Sequence, residues 1–147
     1  MKNLFIGQKF SILRKFSKEE VILFSNLCGD KNPLHIDEEF AKKSIFKKPI
    51  CHGMLGSSLF SNLMGNNITG SIYLSQTLKF LKPVYIDEEI EAFVEINEFI
   101  REKNYLKLNT FVVKTASNEK AIEGEALIRI PKNEYNVIGE SNQDKKI

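Results

Sequence analysis

The residues best suited to chemistry lie in the stretch CGDKNPLHID, residues 28 to 37. Asp30 and His35 place a carboxylate and an imidazole five residues apart on one predicted loop. Pro33 fixes its own φ and pushes Asn32 towards extended geometry, which limits how the loop can bend. A carboxylate and an imidazole on a stiff loop are typical of a general acid/base site. A turn capped by Asp30 beside a surface histidine would give the same letters, so spacing alone leaves both interpretations open.

A second group of candidates opens the apolar segment CHGMLGSSLFSNLMG, residues 51 to 65. The start of a helix presents unpaired amides and a positive dipole end, which suits an oxygen that gains negative charge. Gly53 would let a substrate carbonyl approach the backbone closely, so we predict an oxyanion hole there. His52 either packs beside that site or is a structural residue of the helix start.

Hydrophobic periodicity predicts the elements that must hold these groups. We expect a strand over 8–15 and then a helix from the Ser17–Glu20 capping box to Gly29. The apolar residues of this helix at helical spacing are Val21, Phe24, Leu27 and Cys28. A short exposed helix over 37–43, a buried central helix over 52–65 and four strands of period two between 71 and 130 should follow. In the first of these strands, Ile72, Leu74, Leu78 and Phe80 are expected to share one face. Four strands after a buried helix imply a mostly antiparallel sheet wrapped around that helix, an α+β fold.

The regular pattern stops after Ile130. We therefore predict one domain over residues 1–131 and a polar tail over residues 132–147 that frays.

Composition argues against several classes of protein. The balance of 21 basic and 19 acidic residues gives no reason to expect nucleic acid as a partner. No apolar run approaches the length of a membrane span, and MKNLFIGQKF lacks the core of a signal peptide. Cys28 and Cys51 have neither CxxC spacing nor a Cys/His cluster, so we expect no structural metal and two reduced thiols in a cytoplasmic protein.

The run Gly29 to His35, GDKNPLH, resembles the hydratase 2 signature of the MaoC-like (R)-specific enoyl-CoA hydratases and dehydratases. The likeness continues through PICHGM at 49–54 and GSIYLSQ at 70–76, and covers roughly residues 8 to 131. It implies a hot-dog fold, in which an antiparallel sheet wraps a long helix, and assembly into a homodimer or a higher homo-oligomer.

The resemblance also implies an activity, the reversible hydration of a trans-2-enoyl thioester to the (R)-3-hydroxyacyl thioester without a cofactor or a metal. Asp30 and His35 would hold the water that adds to the double bond, and the Gly53 amide would donate to the thioester carbonyl. Ser61, on the same helix, would support Asp30. Which of Asp30 and His35 is the formal base stays open, as does the carrier, coenzyme A or acyl carrier protein.

Asn32, His52, Gln76 and Lys48 are our candidates for contacts with the substrate. Gln76 would either touch the ligand or make a structural hydrogen bond to the central helix. Lys48 belongs to a basic cluster with Lys42, Lys43 and Lys47, which is either a solvated face or a docking spot for a phosphate-bearing ligand.

Two other functions fit parts of the same pattern. A hot-dog acyl-CoA thioesterase would bind a similar ligand but cleave the thioester, and a non-catalytic acyl-thioester-binding subunit would need neither reactive group. The Asp30 and His35 pair favours the hydratase, because two such groups suit a water aimed at carbon.

Overall fold

A six-stranded antiparallel sheet forms the larger part of the computed structural model, which describes residues 1–139. In chain order the elements are β1 (Lys2–Phe5), β2 (Lys9–Arg14), α1 (Lys18–Cys28), α2 (Pro33–Ile36), α3 (Glu38–Lys42), α4 (Gly53–Asn67), β3 (Ile72–Gln76), β4 (Lys79–Phe80), β5 (Ile90–Ile100), β6 (Tyr105–Lys114), β7 (Glu119–Arg129) and β8 (Tyr135–Ile138), with one 3-10 turn at Arg101–Lys103. The order across the sheet is β2, β5, β6, β7, β3, and β4 also pairs with β7. The edge strands are therefore β2 and β3.

The central helix α4 packs against β2, β5, β6 and β7. Five of its large apolar side chains are buried, namely Leu55, Leu59, Phe60, Leu63 and Met64. Because the sheet encloses the helix on this side, a charged residue there would be costly, which explains the uncharged sequence. The predicted central helix and the α+β, hot-dog arrangement are confirmed.

The inner face of the sheet follows the predicted alternation in its long strands. Ile90, Ala92, Val94 and Ile96 of β5 are buried, as are Leu106, Leu108, Thr110 and Val112 of β6. This pattern is typical of an antiparallel sheet with one face on the core. The register shifts between Val112 and Val113, which lets both Ala121 and Ile122 of β7 face inwards.

The shared face predicted for residues 72 to 80 is wrong. A bulge lies between Tyr73 and Ser75, and the chain leaves the ladder before β4, so the alternation is broken twice. Ile72, Leu74 and Phe80 are all exposed in the isolated chain.

The helix α1 begins and ends where the sequence predicts. Ser17 and Glu20 make the reciprocal hydrogen bonds of a capping box, and Gly29 closes the helix in the left-handed conformation. The hydrogen bond from the Ser17 amide holds the pKa of the Glu20 carboxyl below its usual value. Leu27 and Cys28 are exposed, because the face that packs inwards carries Val21 and Ser25. Within residues 1–139, no helix combines the length and the apolar character that crossing a membrane requires.

The prediction that the chain frays after residue 131 is wrong for Tyr135–Ile138. This strand, β8, pairs in parallel with β1, a strand that periodicity missed. Tyr135 and Val137 are buried, and the Tyr135 hydroxyl donates to the Thr69 carbonyl at 3.0 Å. Ordered structure therefore continues past the predicted boundary, while the part of the predicted tail over 140–147 lies outside the described residues.

Replacing Tyr135 with alanine should lower the free energy of unfolding by about 3 kcal/mol, because a buried ring and its hydrogen bond to Thr69 are lost. Asn136→Ala is the matched control, since Asn136 lies on the same strand with its side chain exposed, and it should stay within about 0.5 kcal/mol. Urea unfolding of both variants checks this. A loss in Tyr135→Ala as small as that in Asn136→Ala would mean that β8 is not part of the cooperative fold.

Candidate active site

The Asp30 carboxylate is oriented by the turn that follows α1. Its Oδ1 accepts a hydrogen bond from the Asn32 amide at 3.1 Å. The Asn32 side chain in turn accepts from the Leu34 amide at 3.1 Å and caps α2, with Pro33 in the first helical position. This turn leaves the second carboxylate oxygen, Oδ2, facing His35, with the Asp30 side chain about half exposed at 51%.

His35 lies on the one-turn helix α2, where the sequence predicted only loop. Its Nδ1 is 2.7 Å from the Ile50 carbonyl, and because a carbonyl only accepts, Nδ1 carries the hydrogen in the neutral ring. Nε2 is then a free acceptor, and it lies 3.9 Å from Asp30 Oδ2. The gap is too long for a direct hydrogen bond, but one water can donate a hydrogen to each atom.

The Ile50 carbonyl is itself held in place by backbone hydrogen bonds on either side. The Ile50 amide donates to the Leu34 carbonyl at 3.2 Å, and the Cys51 amide donates to the Val84 carbonyl at 2.7 Å. Burial raises the pKa of the Cys51 thiol to about 12, so this group is a neutral packing residue. The segment before α4 thus sets the tautomer of His35.

His52 is buried at the start of α4 and contacts both reactive residues. Its Nε2 lies 3.2 Å from the Asp30 carbonyl and 3.0 Å from Ser25 Oγ. Its ring stacks on that of His35 with centroids 3.8 Å apart. Burial lowers the pKa of His52, the hydrogen bond to the Asp30 carbonyl opposes that shift, and nearby His35 adds to it. Of the two interpretations of His52, the structure supports packing beside the site.

Gly53 opens α4 and lines the same cavity as His35, which has a volume of about 390 Å³. Most of the other walls are apolar, with Phe46, Phe80 and Val84 among them. Among residues 1–139, no acceptor pairs with the Gly53 amide, as expected for the first turn of a helix. The helix start therefore offers a donor beside the imidazole.

The ligand atoms of Asp30, His35 and His52 lie within 4.8 Å of one another, which prompts the question of a metal. The two rings stack at 28°, so their in-plane lone pairs do not converge on one point. His52 Nε2 and His35 Nδ1 are also engaged with backbone carbonyls. This geometry suits a water better than an ion.

Within residues 1–139, Ser61 makes no hydrogen bond to Asp30, and its supporting role stays a prediction. It lies eight residues beyond Gly53, about 12 Å further along the helix, and its side chain is exposed. In the part of the chain that the structure describes, the Asp30 carboxylate accepts from the Asn32 amide and the Asp30 carbonyl lies beside His52 Nε2. The predicted support of Asp30 by Ser61 therefore has no hydrogen bond behind it.

Gln76 also lies away from the cavity and takes a structural role. Its amide nitrogen donates to the Thr77 carbonyl and to Thr110 Oγ1, both at 2.8 Å, and its oxygen accepts from the Tyr73 hydroxyl. These partners belong to the sheet, so the predicted structural hydrogen bond exists but does not reach the central helix.

Lys48 lies on a different surface from the cavity, with its ammonium 5.0 Å from the centre of the Tyr85 ring. The depression around it also contains Lys42 and Lys47, but three carboxylates, those of Glu38, Glu39 and Asp87, share the same surface. Mixed charge weakens the prediction of a phosphate-docking spot, since the acids offset the field of the lysines.

Sequence reasoning missed three groups that shape the site, namely Ser25, the Ile50 carbonyl and Phe80. Ser25 is buried and carried a readable signal, because it follows Val21 by four residues and thus places a hydroxyl on the inward face of an amphipathic helix. The Ile50 carbonyl and the Phe80 ring gave no such signal, because their contacts join distant parts of the chain.

Comparison with known proteins gives consistent similarities. The family model described as MaoC like domain matches residues 6–120, a range that contains every reactive group described above. The (R)-specific enoyl-CoA hydratase of Aeromonas caviae is 40% identical over 132 residues, which are 88% of this chain and 98% of that protein. The mitochondrial 3-hydroxyacyl-[acyl-carrier-protein] dehydratase of Arabidopsis thaliana is 35% identical over 128 residues, 86% of this chain and 77% of that protein. The solved structure of the A. caviae (R)-hydratase involved in PHA biosynthesis superposes with a TM-score of 0.83, covering 86% of this chain and 96% of that chain.

The His52 ring should make stability depend on pH. Because its pKa is lower in the folded chain, the unfolded chain binds its proton more readily, and stability is lost as pH falls below about 6.5. His52→Gln keeps an amide donor for the Asp30 carbonyl but cannot titrate. Urea unfolding between about pH 7.5 and pH 5 should therefore show a steeper loss in the wild type than in His52→Gln. Parallel losses in the two proteins would contradict the pKa shift.

Proposed function

The chain belongs to the MaoC-like domain family, and from that premise we propose that it is an (R)-specific enoyl-CoA hydratase, which adds water reversibly to a trans-2-enoyl thioester. The observation that carries this proposal is the Asp30 and His35 pair. Two acceptors, Oδ2 and Nε2, face each other across 3.9 Å beside the start of a helix.

The two acceptors would hold both hydrogens of one water. With its hydrogens bound to Asp30 and His35, the water presents its oxygen lone pairs to the substrate. The oxygen attacks C3 of the enoyl thioester as one of these acceptors takes a proton. The C2–C3 π electrons move towards C1, and the thioester oxygen becomes an enolate.

Proton transfer then completes the addition. Protonation of C2 from the same pair returns the electrons of the enolate to the carbon, so that one water is added in total and both side chains regain their starting state. The reverse sequence is the dehydration of the 3-hydroxyacyl thioester. No step requires oxidation or reduction.

The enolate oxygen would be stabilised at the start of α4. The Gly53 amide and the positive end of the helix dipole are fixed before the substrate arrives, so no reorganisation is needed as charge develops. One such donor is typically worth about 3 to 4 kcal/mol. The apolar walls of the cavity strengthen this interaction, since they exclude water from the charged oxygen.

Turnover of crotonyl-CoA tests the activity and the two residues together. The wild type should remove the ultraviolet absorbance of the enoyl thioester, while Asp30→Asn and His35→Ala should slow this about 100- to 10,000-fold. Asp37→Asn is the matched control, because this carboxylate lies in the same stretch but only caps α3, a role that asparagine also fills.

The same assay separates the alternative functions. Release of free thiol from the thioester, at a rate that falls in Asp30→Asn, would indicate a thioesterase. No turnover of either coenzyme A or acyl-carrier-protein thioesters over a range of chain lengths would leave only a binding subunit.

Relatives named for either carrier support an enoyl or 3-hydroxyacyl thioester as the substrate, and the identity of the carrier is a further part of the proposal. The relatives are named for coenzyme A in A. caviae and for acyl carrier protein in A. thaliana. We propose coenzyme A, because, of these two relatives, the A. caviae protein is the more similar, at 40% against 35% identity. Parallel assays with crotonyl-CoA and the matching carrier-protein thioester decide between them.

We also propose that the protein acts as a homodimer, joined along the edge strand β3. Ile72, Tyr73 and Leu74 are exposed there in the isolated chain. Apolar side chains on an unpaired edge favour association, and pairing two copies of one antiparallel edge gives a two-fold interface.

Substitution at each edge of the sheet tests this dimer. Leu74→Lys should convert a dimer into a monomer in sedimentation, because the charge would be buried between the two copies. Leu13→Lys changes an exposed leucine on the opposite edge strand β2 and should leave the dimer intact. Loss of the dimer in Leu13→Lys alone would move the interface to β2.

A further inference from the structure

Phe80 packs directly against the first residue of α4. An ideal side-chain carbon built on Gly53 would lie 2.4 Å from Cε1 and 2.5 Å from Cδ1 of the Phe80 ring. Atoms at that distance overlap, so residue 53 has room for a side chain only if the ring moves away. The glycine at the helix start is thus matched to this ring as well as to any substrate.

A second pair of the same kind lies next to it. A side-chain carbon on Gly56 would lie 3.0 Å from Cδ1 of Ile122, and Ile122 is the cross-strand partner of Phe80. Gly53 and Gly56 are three residues apart, so they lie on one face of α4. Two large side chains of the sheet therefore pack on two glycines of the helix, and all four line the cavity.

The Phe80 backbone is fixed on both sides, which keeps the ring in this place. Phe80 pairs with Ile122 in the sheet, and the Leu81 amide donates to the Ala121 carbonyl at 2.8 Å. The residue is nevertheless 54% exposed, so the fold does not need the ring as part of its core. Because the ring also lines the cavity, a ligand bound there would contact it.

We propose that Phe80 is a specificity-determining residue, whose ring narrows the site beside the Gly53 amide and so restricts the enzyme to enoyl thioesters without a branch at C2. This inference rests on the proposed function, because it places the thioester carbonyl at that amide. C2 is bonded to the carbonyl carbon, so a methyl group on C2 must lie beside the bound carbonyl. The ring already occupies space on that side of Gly53.

Selectivity between two coenzyme A thioesters tests the proposal. Crotonyl-CoA is unbranched, and tigloyl-CoA carries one extra methyl group at C2. The wild type should prefer crotonyl-CoA, and Phe80→Ala should reduce that preference in kcat/KM by about tenfold or more, with a smaller reduction in Phe80→Leu. Phe40→Ala, which removes a ring of similar exposure on α3, should leave the preference unchanged.

The contact itself is tested by a double substitution that needs no turnover. Gly53→Ala should lower the melting temperature by about 5 °C in the wild type, because the new carbon overlaps the ring, and by much less in Phe80→Ala. Gly56→Ala should change the melting temperature equally with and without Phe80→Ala, since the side chain next to Gly56 is Ile122.

Each outcome has one meaning. An unchanged preference in Phe80→Ala overturns the specificity proposal, and an equal effect of Gly53→Ala in both backgrounds overturns the contact on which it is built. If the wild type hydrates no enoyl thioester on either carrier over a range of chain lengths, the proposed function fails and the specificity proposal fails with it. If the wild type hydrates crotonyl-CoA and Phe80→Ala keeps the wild-type selectivity, the Phe80 proposal is wrong and the proposed function stands.

Discussion

The buried imidazole of His52 is the contact on which the geometry of the site depends. Through one ring, the helix α1, the Asp30 turn, the helix α2 and the start of α4 are held together, because the ring bonds to the Asp30 carbonyl, reaches Ser25 and stacks on His35. The ring can donate from Nε2 to the Asp30 carbonyl in its neutral form, which burial favours. The residue has no need to touch substrate in order to decide where the two reactive side chains lie.

Backbone groups complete what His52 begins. The Ile50 carbonyl accepts from His35 Nδ1 and so leaves Nε2 as the acceptor that faces Asp30. The amides at the start of α4 supply the opposite character, a donor, in the same cavity. The Asp30–His35 segment thus supplies acceptors for the hydrogens of water. The start of α4 supplies a donor for the oxygen that becomes charged. Such a site costs little reorganisation during the reaction, because its polar groups are already oriented.

The sheet contributes shape to this arrangement. Its long strands bury one alternating face against α4, whereas β3 and β4 interrupt that pattern with a bulge and a break. The interruption releases Phe80 from the regular inner face and lets its ring meet Gly53. Irregular strands beside a site are common in sheet proteins, since a bulge redirects side chains without disturbing the rest of the core.

The sequence by itself determined the class of fold and singled out the candidate reactive residues. Period-two strands after an uncharged helix, the Ser17–Glu20 capping box and Gly29 are local signals, and the elements that they predicted exist. The resemblance of GDKNPLH to a known signature added the activity. These signals could be read because each depends on residues close together in the chain.

Only the tertiary structure decided which groups meet. Residues far apart in sequence meet in the pairing of β8 with β1, the contact of His52 with the Asp30 carbonyl, and the packing of Phe80 on Gly53. Gln76 shows the same limit, because alternation predicted an inward amide but could not tell that Thr110 would receive it. The physical reason is that such contacts depend on how helices and strands pack together, and no local pattern of residue types specifies that packing.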